Sequence, residues 1–130
     1  MYLLDTNTLI YFFKGIGKVS QNIFSHSPQE IYIPSIVIYE LQVGIAKSNS
    51  PQKREKQLEK LLTQITVIDF TTKEAKASAK IRATLEAKGE PIGPMDTLIA
   101  GYALAHNYIL VTNNTKEFQK IENIKLDNWL

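Results

Sequence analysis

Three carboxylates, Asp5, Glu40 and Asp96, are the side chains whose types and positions allow them to do chemistry together. Asp5 closes a short apolar run, Glu40 lies within an apolar helical stretch, and Asp96 sits just after Gly93-Pro94. If the fold gathers them, three carboxylates within a few Å repel one another, and such a cluster normally requires a cation or strong proton sharing. A hard divalent ion suits oxygen ligands. Mg²⁺ prefers octahedral oxygen coordination, keeps several waters and leaves positions for phosphate oxygens, whereas zinc usually recruits Cys or His. The sequence has no cysteine, so Mg²⁺, or Mn²⁺ in its place, is the expected cofactor. Each acid also has a plain structural reading. Asp5 could cap a helix, Asp96 could serve a helix macrodipole, and Glu40 could be a solvated helix residue. Glu40 resists that reading most, because Ile36, Val37, Ile38, Tyr39, Leu41 and Val43 surround it, which predicts poor access to bulk water.

The elements that must position these acids can be read from pattern. Tyr2-Leu3-Leu4, Ile31-Tyr32-Ile33, Thr66-Val67-Ile68, Ile109-Leu110-Val111 and Ile124-Lys125-Leu126 read as short strands. Between them, Leu9, Ile10 and Phe13 carry helical spacing, Val19 to Ser25 a second helix, and Ile36 to about Lys47 a third, with Ser35 as its N-cap. Tyr11, Phe12 and Phe13 at this spacing read as core. After the turn cluster Ser48-Asn49-Ser50-Pro51, the residues Leu58, Leu61, Leu62 and Ile65 oppose a charged face, the pattern of an amphipathic surface helix. Thr71 and Glu74 predict a capping box opening a helix that ends near Gly89, along which Ala75, Ala79 and Ala83 suit close helix packing. Pro94 takes the first position of a further helix, with Asp96 in its first turn, and a short helical turn follows Asn114.

Strands alternating with helices predict an α/β fold: a doubly wound, mainly parallel sheet of four to five short strands flanked by helices. Residues 1–130 read as one domain. In such sheets ligands collect outside the carboxyl ends of the strands, which is where Asp5, Glu40 and Asp96 are expected.

Bulk composition excludes more than it assigns. At 44% hydrophobic residues the chain can bury a core, and its net charge of +2 permits a polyanionic partner without implying one. The absence of cysteine removes disulfides and thiol nucleophiles together. Neither a basic N-terminal leader nor an apolar run of about 18 residues is seen, so a cytoplasmic protein with no membrane partner is expected. No G-x-S-x-G elbow and no glycine-rich phosphate loop occurs. His26 and His106 read as structural.

Four stretches make the sequence resemble the PIN domain, and more narrowly the VapC-type toxins of bacterial toxin–antitoxin pairs. They are Leu3-Leu4-Asp5-Thr6-Asn7, Ile38-Tyr39-Glu40-Leu41 with Gly44, Ile92-Gly93-Pro94-Met95-Asp96 leading to Ile99-Ala100, and Val111 through Phe118. The resemblance spans nearly the whole chain, and the run from Ile92 to Phe118 is its most specific part. It implies that Asp5, Glu40 and Asp96 are the metal-holding acids, and that the activity is hydrolysis of RNA phosphodiesters by a metal-activated water. Thr6, Asn7 and Thr112 would hold waters or phosphate. Many members of the family carry a further acid where Asn114 stands here; Glu117 could replace it or could face outward. A homodimer and a cognate antitoxin partner are also implied. Three other readings stay open: a receiver-type phosphorylation switch with Asp69 as phosphoacceptor, a haloacid-type phosphatase, which would want a second Asp where Asn7 stands, and a catalytically inactive PIN fold that binds RNA or a partner.

Overall fold

A computed structural model describes residues 1–130. Five strands form one sheet: β1 (Tyr2–Leu4), β2 (Ile31–Pro34), β3 (Thr66–Ile68), β4 (Ile109–Val111) and β5 (Lys125–Asp127), in the order β3-β2-β1-β4-β5. All four pairings are parallel. The central position of β1 explains its composition. Leu3 and Leu4 point to opposite faces, and neither exposes any surface, which requires covering layers on both sides and replaces the alternating pattern of a one-sided sheet.

Seven helices cover the sheet: α1 (Thr6–Lys14), α2 (Val19–Ser25), α3 (Ser35–Ala46), α4 (Pro51–Leu62), α5 (Thr72–Ala87), α6 (Pro94–His106) and α7 (Thr115–Phe118). A core cluster of 23 buried residues joins the sheet to Leu9, Val37, Leu41, Leu58, Ile99, Tyr102 and Phe118 on these helices. No helix is long and apolar enough to cross a membrane. Tyr11, Phe12 and Phe13 are half-buried against the core.

Four local expectations are corrected. Ser35 is the first residue of α3 and not its N-cap; Pro34 takes the cap position while ending β2, and the Ser35 hydroxyl pairs instead with Tyr102 Oη at 2.8 Å. The last strand lies one residue later than the apolar pattern of Ile124 and Leu126 indicated, because its register is set by the ladder to β4, where Val111 faces Asp127. Ala75, Ala79 and Ala83 face solvent. The buried face of α5 is Glu74, Ser78, Ile81 and Leu85, and the close helix approach is made from the other side by Gly101 of α6. A Cβ on Gly101 would collide with the Ser78 hydroxyl and stand 3.0 Å from the Glu74 carbonyl oxygen. Small residues on α5 were therefore the wrong signal for the contact that locks α6 in place. The fourth correction concerns Glu40 and belongs to the site.

The topology selects one crevice. The chain winds outward from β1 through β2 to the edge strand β3, then returns across the sheet to β4 on the other side of β1. The direction of winding reverses between β1 and β4, and ligand sites of doubly wound sheets lie outside the carboxyl ends of the strands at such a point. The residues that follow these two strands are Asp5 and Thr112. The same order disposes of the receiver reading, which needs its third strand beside its first; here β3 is an edge strand and Asp69 is exposed beyond it.

Candidate active site

Asp5 stands at the turn from β1 into α1. Its backbone N–H donates to the Val111 carbonyl of the neighbouring strand at 3.2 Å, and its Oδ1 accepts the Thr8 backbone N–H at 2.9 Å. The capping role expected of it is therefore real. It does not exhaust the residue, because Asp5 is only 4% exposed and a buried carboxylate is costly beyond what one cap returns. Burial pushes its carboxyl above the ordinary aspartate value. Hydrogen bonds from Thr112 and Thr8 offset part of that rise, and the nearby charge of Glu40 adds to it.

Asp96 occupies the third position of α6, placed by Pro94 at the first. It is half-buried, and its carboxyl is also raised: by burial first, then by the negative charges of Asp5, Glu40 and Glu117. No hydrogen bond offsets these effects. A Cβ on Gly93 would make only ordinary contact with Asp96 Oδ2, at 3.8 Å.

Glu40 reaches the same neighbourhood from α3, and its Oε1 accepts the Thr6 hydroxyl at 2.6 Å. The expectation of poor access to water is met only in part, because Glu40 is half-buried. Only Val37 and Leu41 of α3 are buried, while Tyr39 and Val43 are 58% and 38% exposed; Glu40 lines an open cleft. An apolar neighbourhood in sequence wraps around a helix and need not close over one side chain.

The supporting residues divide. Thr112 is fully buried, helps hold the Asp5 carboxyl down, and accepts the Asn114 backbone N–H at 2.9 Å. Thr6 orients Glu40. Asn7 is exposed. Asn114 opens α7 without a side-chain cap and acts through its backbone. Glu117 lies close enough for its charge to act on Asp96, although Lys120 Nζ pairs with its Oε2 at 3.2 Å. Thr8 was missed by sequence reasoning: its hydroxyl donates to the Val111 carbonyl at 3.1 Å, pinning the start of α1 to β4 beside Asp5. The Asp-x-x-Thr spacing after a strand was the available signal.

Asp5, Glu40, Asp96 and Glu117 thus form one electrostatic neighbourhood supplied by α1, α3, α6 and α7. No three acidic or histidine side chains form a ready-made cage for an ion. The donors present are carboxylate oxygens, with no cysteine in the chain, which is the chemistry of a hard ion rather than of zinc with its N and S donors. The two histidines stand apart from the acids. His26 Nδ1 lies 2.7 Å from the Asn22 carbonyl and its ring stacks on Trp129, while His106 pairs with Glu74 at 3.1 Å.

Comparison with known proteins places the chain in a family. The PIN domain family model matches residues 2–124. The chain is 39% identical to Ribonuclease VapC2 of Rickettsia felis, covering 99% of this chain and 98% of that protein. It is 35% identical to the tRNA(fMet)-specific endonuclease VapC of Salmonella typhimurium, covering 98% and 97%. Among solved structures, VapBC2 from Rickettsia felis bound to a promoter DNA fragment superposes with a TM-score of 0.92 at 39% identity, over 99% of this chain and 98% of that one. DNA-bound VapBC from Salmonella typhimurium superposes at 0.93 and 34% identity, with the same coverage. With its parallel five-stranded sheet, its acids around the β1–β4 crevice and near full-length similarity to these proteins, the chain belongs to the PIN-domain family and, within it, to the VapC-type ribonucleases of toxin–antitoxin pairs.

Proposed function

We propose that this chain is a single-domain, Mg²⁺-dependent endoribonuclease acting in the cytoplasm as a homodimeric toxin held in check by a cognate antitoxin. The observation that carries the reading is the state of the acids. Asp5 is raised by burial and by the charge of Glu40, Asp96 by burial and by the charges of Asp5, Glu40 and Glu117, and Asp96 has no hydrogen bond to relieve it. A divalent cation relieves both at once. The ribonuclease and tRNA-endonuclease names of the relatives support RNA as substrate, and the solved VapBC neighbours support an antitoxin partner.

Asp5 and Asp96 are the direct ligands, and Glu40 completes the metal's shell or orients a water bound to it. When bound, Mg²⁺ supplies an activated water nucleophile and stabilises charge on the nonbridging or leaving oxygen of the phosphodiester. The protein's own contribution is positioning. The Thr8 backbone N–H fixes the Asp5 carboxylate, Thr112 favours its charged form, and the Thr6 hydroxyl holds Glu40. Glu117, whose charge already acts on Asp96, takes the part of the fourth acid that Asn114 cannot play.

The test is RNA cleavage, with initiator tRNA as first substrate because the Salmonella relative is named for it. Asp5→Asn and Asp96→Asn should each remain folded and lose at least about 100-fold in Mg²⁺-dependent cleavage, since several kcal/mol of charge stabilisation leaves with the ligand. Undiminished cleavage by both folded variants overturns the assignment.

A further inference from the structure

A cleft of about 290 Å³ opens between α1, α3 and α4, with Glu40 in its wall. Its floor is apolar, with Phe13, Leu41 and Leu58, while Lys14 and Arg54 stand on its rim. The ion pairs of the molecule are Arg82–Glu86, His106–Glu74 and Lys120–Glu117, so neither rim cation is neutralised by a carboxylate. Arg54 donates only to Gln57, at 3.2 Å. Gln57 also lines an adjoining shallow hollow with Lys53, Lys56 and Lys60, so positive surface continues along α4 away from the acids.

Four carboxylates at the crevice are a poor landing place for a polyanion. A phosphodiester chain reaches them only if nearby cations offset the repulsion, and the unpaired cations that line the cleft together with Glu40 are Lys14 and Arg54. The cleft floor adds a second match, because bases of single-stranded nucleic acid stack on aromatic and apolar surface without needing sequence-specific partners.

Resting on the nuclease reading, we infer that this cleft is the subsite for the RNA nucleotide next to the scissile phosphate. Arg54 and Lys14 hold the flanking phosphates, Phe13 supports the base, and the lysines of α4 carry the strand onward. Arg54 and Lys14 are positioning residues here. They bring the backbone to the acids without touching the bond that breaks.

Binding of a short fluorescent single-stranded oligoribonucleotide is measured by anisotropy without Mg²⁺, in the Asp96→Asn protein so that nothing is cut. Arg54→Glu and Lys14→Glu should each weaken binding about ten-fold and lower the slope of log affinity against log salt by about 0.7 for every phosphate no longer held. Phe13→Ala should weaken binding about five-fold with the salt slope unchanged. Lys88→Glu, the same charge reversal at an exposed site beyond α5, should leave affinity near its starting value. Equal losses at Arg54, Lys14 and Lys88 would mean diffuse attraction and overturn the subsite. Affinity unchanged by all three would also overturn it, and would leave the apolar cleft to a protein segment. Cleavage by the wild-type protein in Mg²⁺ is scored separately. Cleaving protein whose binding ignores Lys14 and Arg54 defeats the cleft alone; RNA held through them and never cut defeats the nuclease reading.

Discussion

Glu74 and Asp96 occupy the same place in their helices, the third position of α5 and of α6, and the two helices pack against each other. Their chemistry is opposite. Burial would raise the Glu74 carboxyl, but donors outweigh it: the Thr71 hydroxyl at 2.6 Å, the Thr71 backbone N–H at 3.2 Å and a His106 ring nitrogen at 3.1 Å together hold it down to about 2. Asp96 is raised, by burial and by three acidic neighbours, with no donor set against them. Helix position therefore does not decide what an acid is for. An acid whose oxygens are already taken by protein donors holds the fold together, whereas an acid left with repulsion and no donor is one that a cation from outside would relieve.

The largest expected difference between the two acids lies in stability. Glu74→Ala should cost about 3 kcal/mol in urea unfolding, because it removes the capping box and strips a buried partner from His106. Cleavage per folded molecule should be unchanged. A fall in specific activity with no loss of stability would erase the distinction drawn between the two sites.

The pH dependence sharpens the same contrast. Glu74 is held at about 2 in the folded chain against 4.5 for the free side chain. Its contribution is thus complete above about pH 4.5 and is lost as pH falls from there through about 2, where it protonates in the fold. Glu74→Gln should flatten this part of the acid-unfolding profile, removing up to about 3 kcal/mol of its pH-dependent change. A profile with the same slope in both proteins would place the acid sensitivity elsewhere.

This contrast also marks how far the sequence could be read. The strands were legible because apolar three-residue runs such as Leu3-Leu4 behind Tyr2 admit few other uses, and the Thr71–Glu74 capping box was legible because both partners lie within one turn. Asp5 and Asp96 stood out by their positions after a strand and after Gly93-Pro94. What could not be read was whatever depended on a partner distant in the chain. His106 lies 32 residues from Glu74, and the Ser35 hydroxyl finds Tyr102 across 67 residues. The exposure of Glu40 depends on which side of α3 meets the sheet, and a helix apolar on nearly all sides conceals that choice. Glu117 becomes part of the acidic neighbourhood only through the placement of α7 beside α6.

A smaller effect, of opposite sign, is expected at Asp5. An acid whose folded value is raised disfavours the fold once ionised, so its burden grows as pH rises from the unfolded value through the folded one and persists at neutral pH. Asn at this position keeps an oxygen for the Thr8 N–H and removes the charge. Asp5→Asn should therefore stabilise the metal-free protein by about 1 kcal/mol, read as a higher Tm, while losing cleavage. Added Mg²⁺ should raise the Tm of the wild-type protein and leave that of the variant nearly still. If Asp5→Asn destabilises, the carboxylate's charge is needed by the fold and Asp5 belongs with Glu74.

The smallest effect tests whether positioning matters within the acidic neighbourhood. The Thr6 hydroxyl donates to Glu40 at 2.6 Å from the first turn of α1, a bond from α1 to α3. Thr6→Val keeps the shape and removes the donor, leaving the half-buried Glu40 carboxylate to find water at the cleft edge. Because water can take the vacated site, the stability cost should be about 0.5–1 kcal/mol, near the net value of an ordinary hydrogen bond and well below that of a stranded buried group. Cleavage should fall a few-fold at saturating Mg²⁺, and Thr6→Ser, which restores the hydroxyl, should recover it. Full activity in Thr6→Val would mean that Glu40 needs no orientation, and would move the acid out of the working set toward the plain solvated residue that its exposure alone describes.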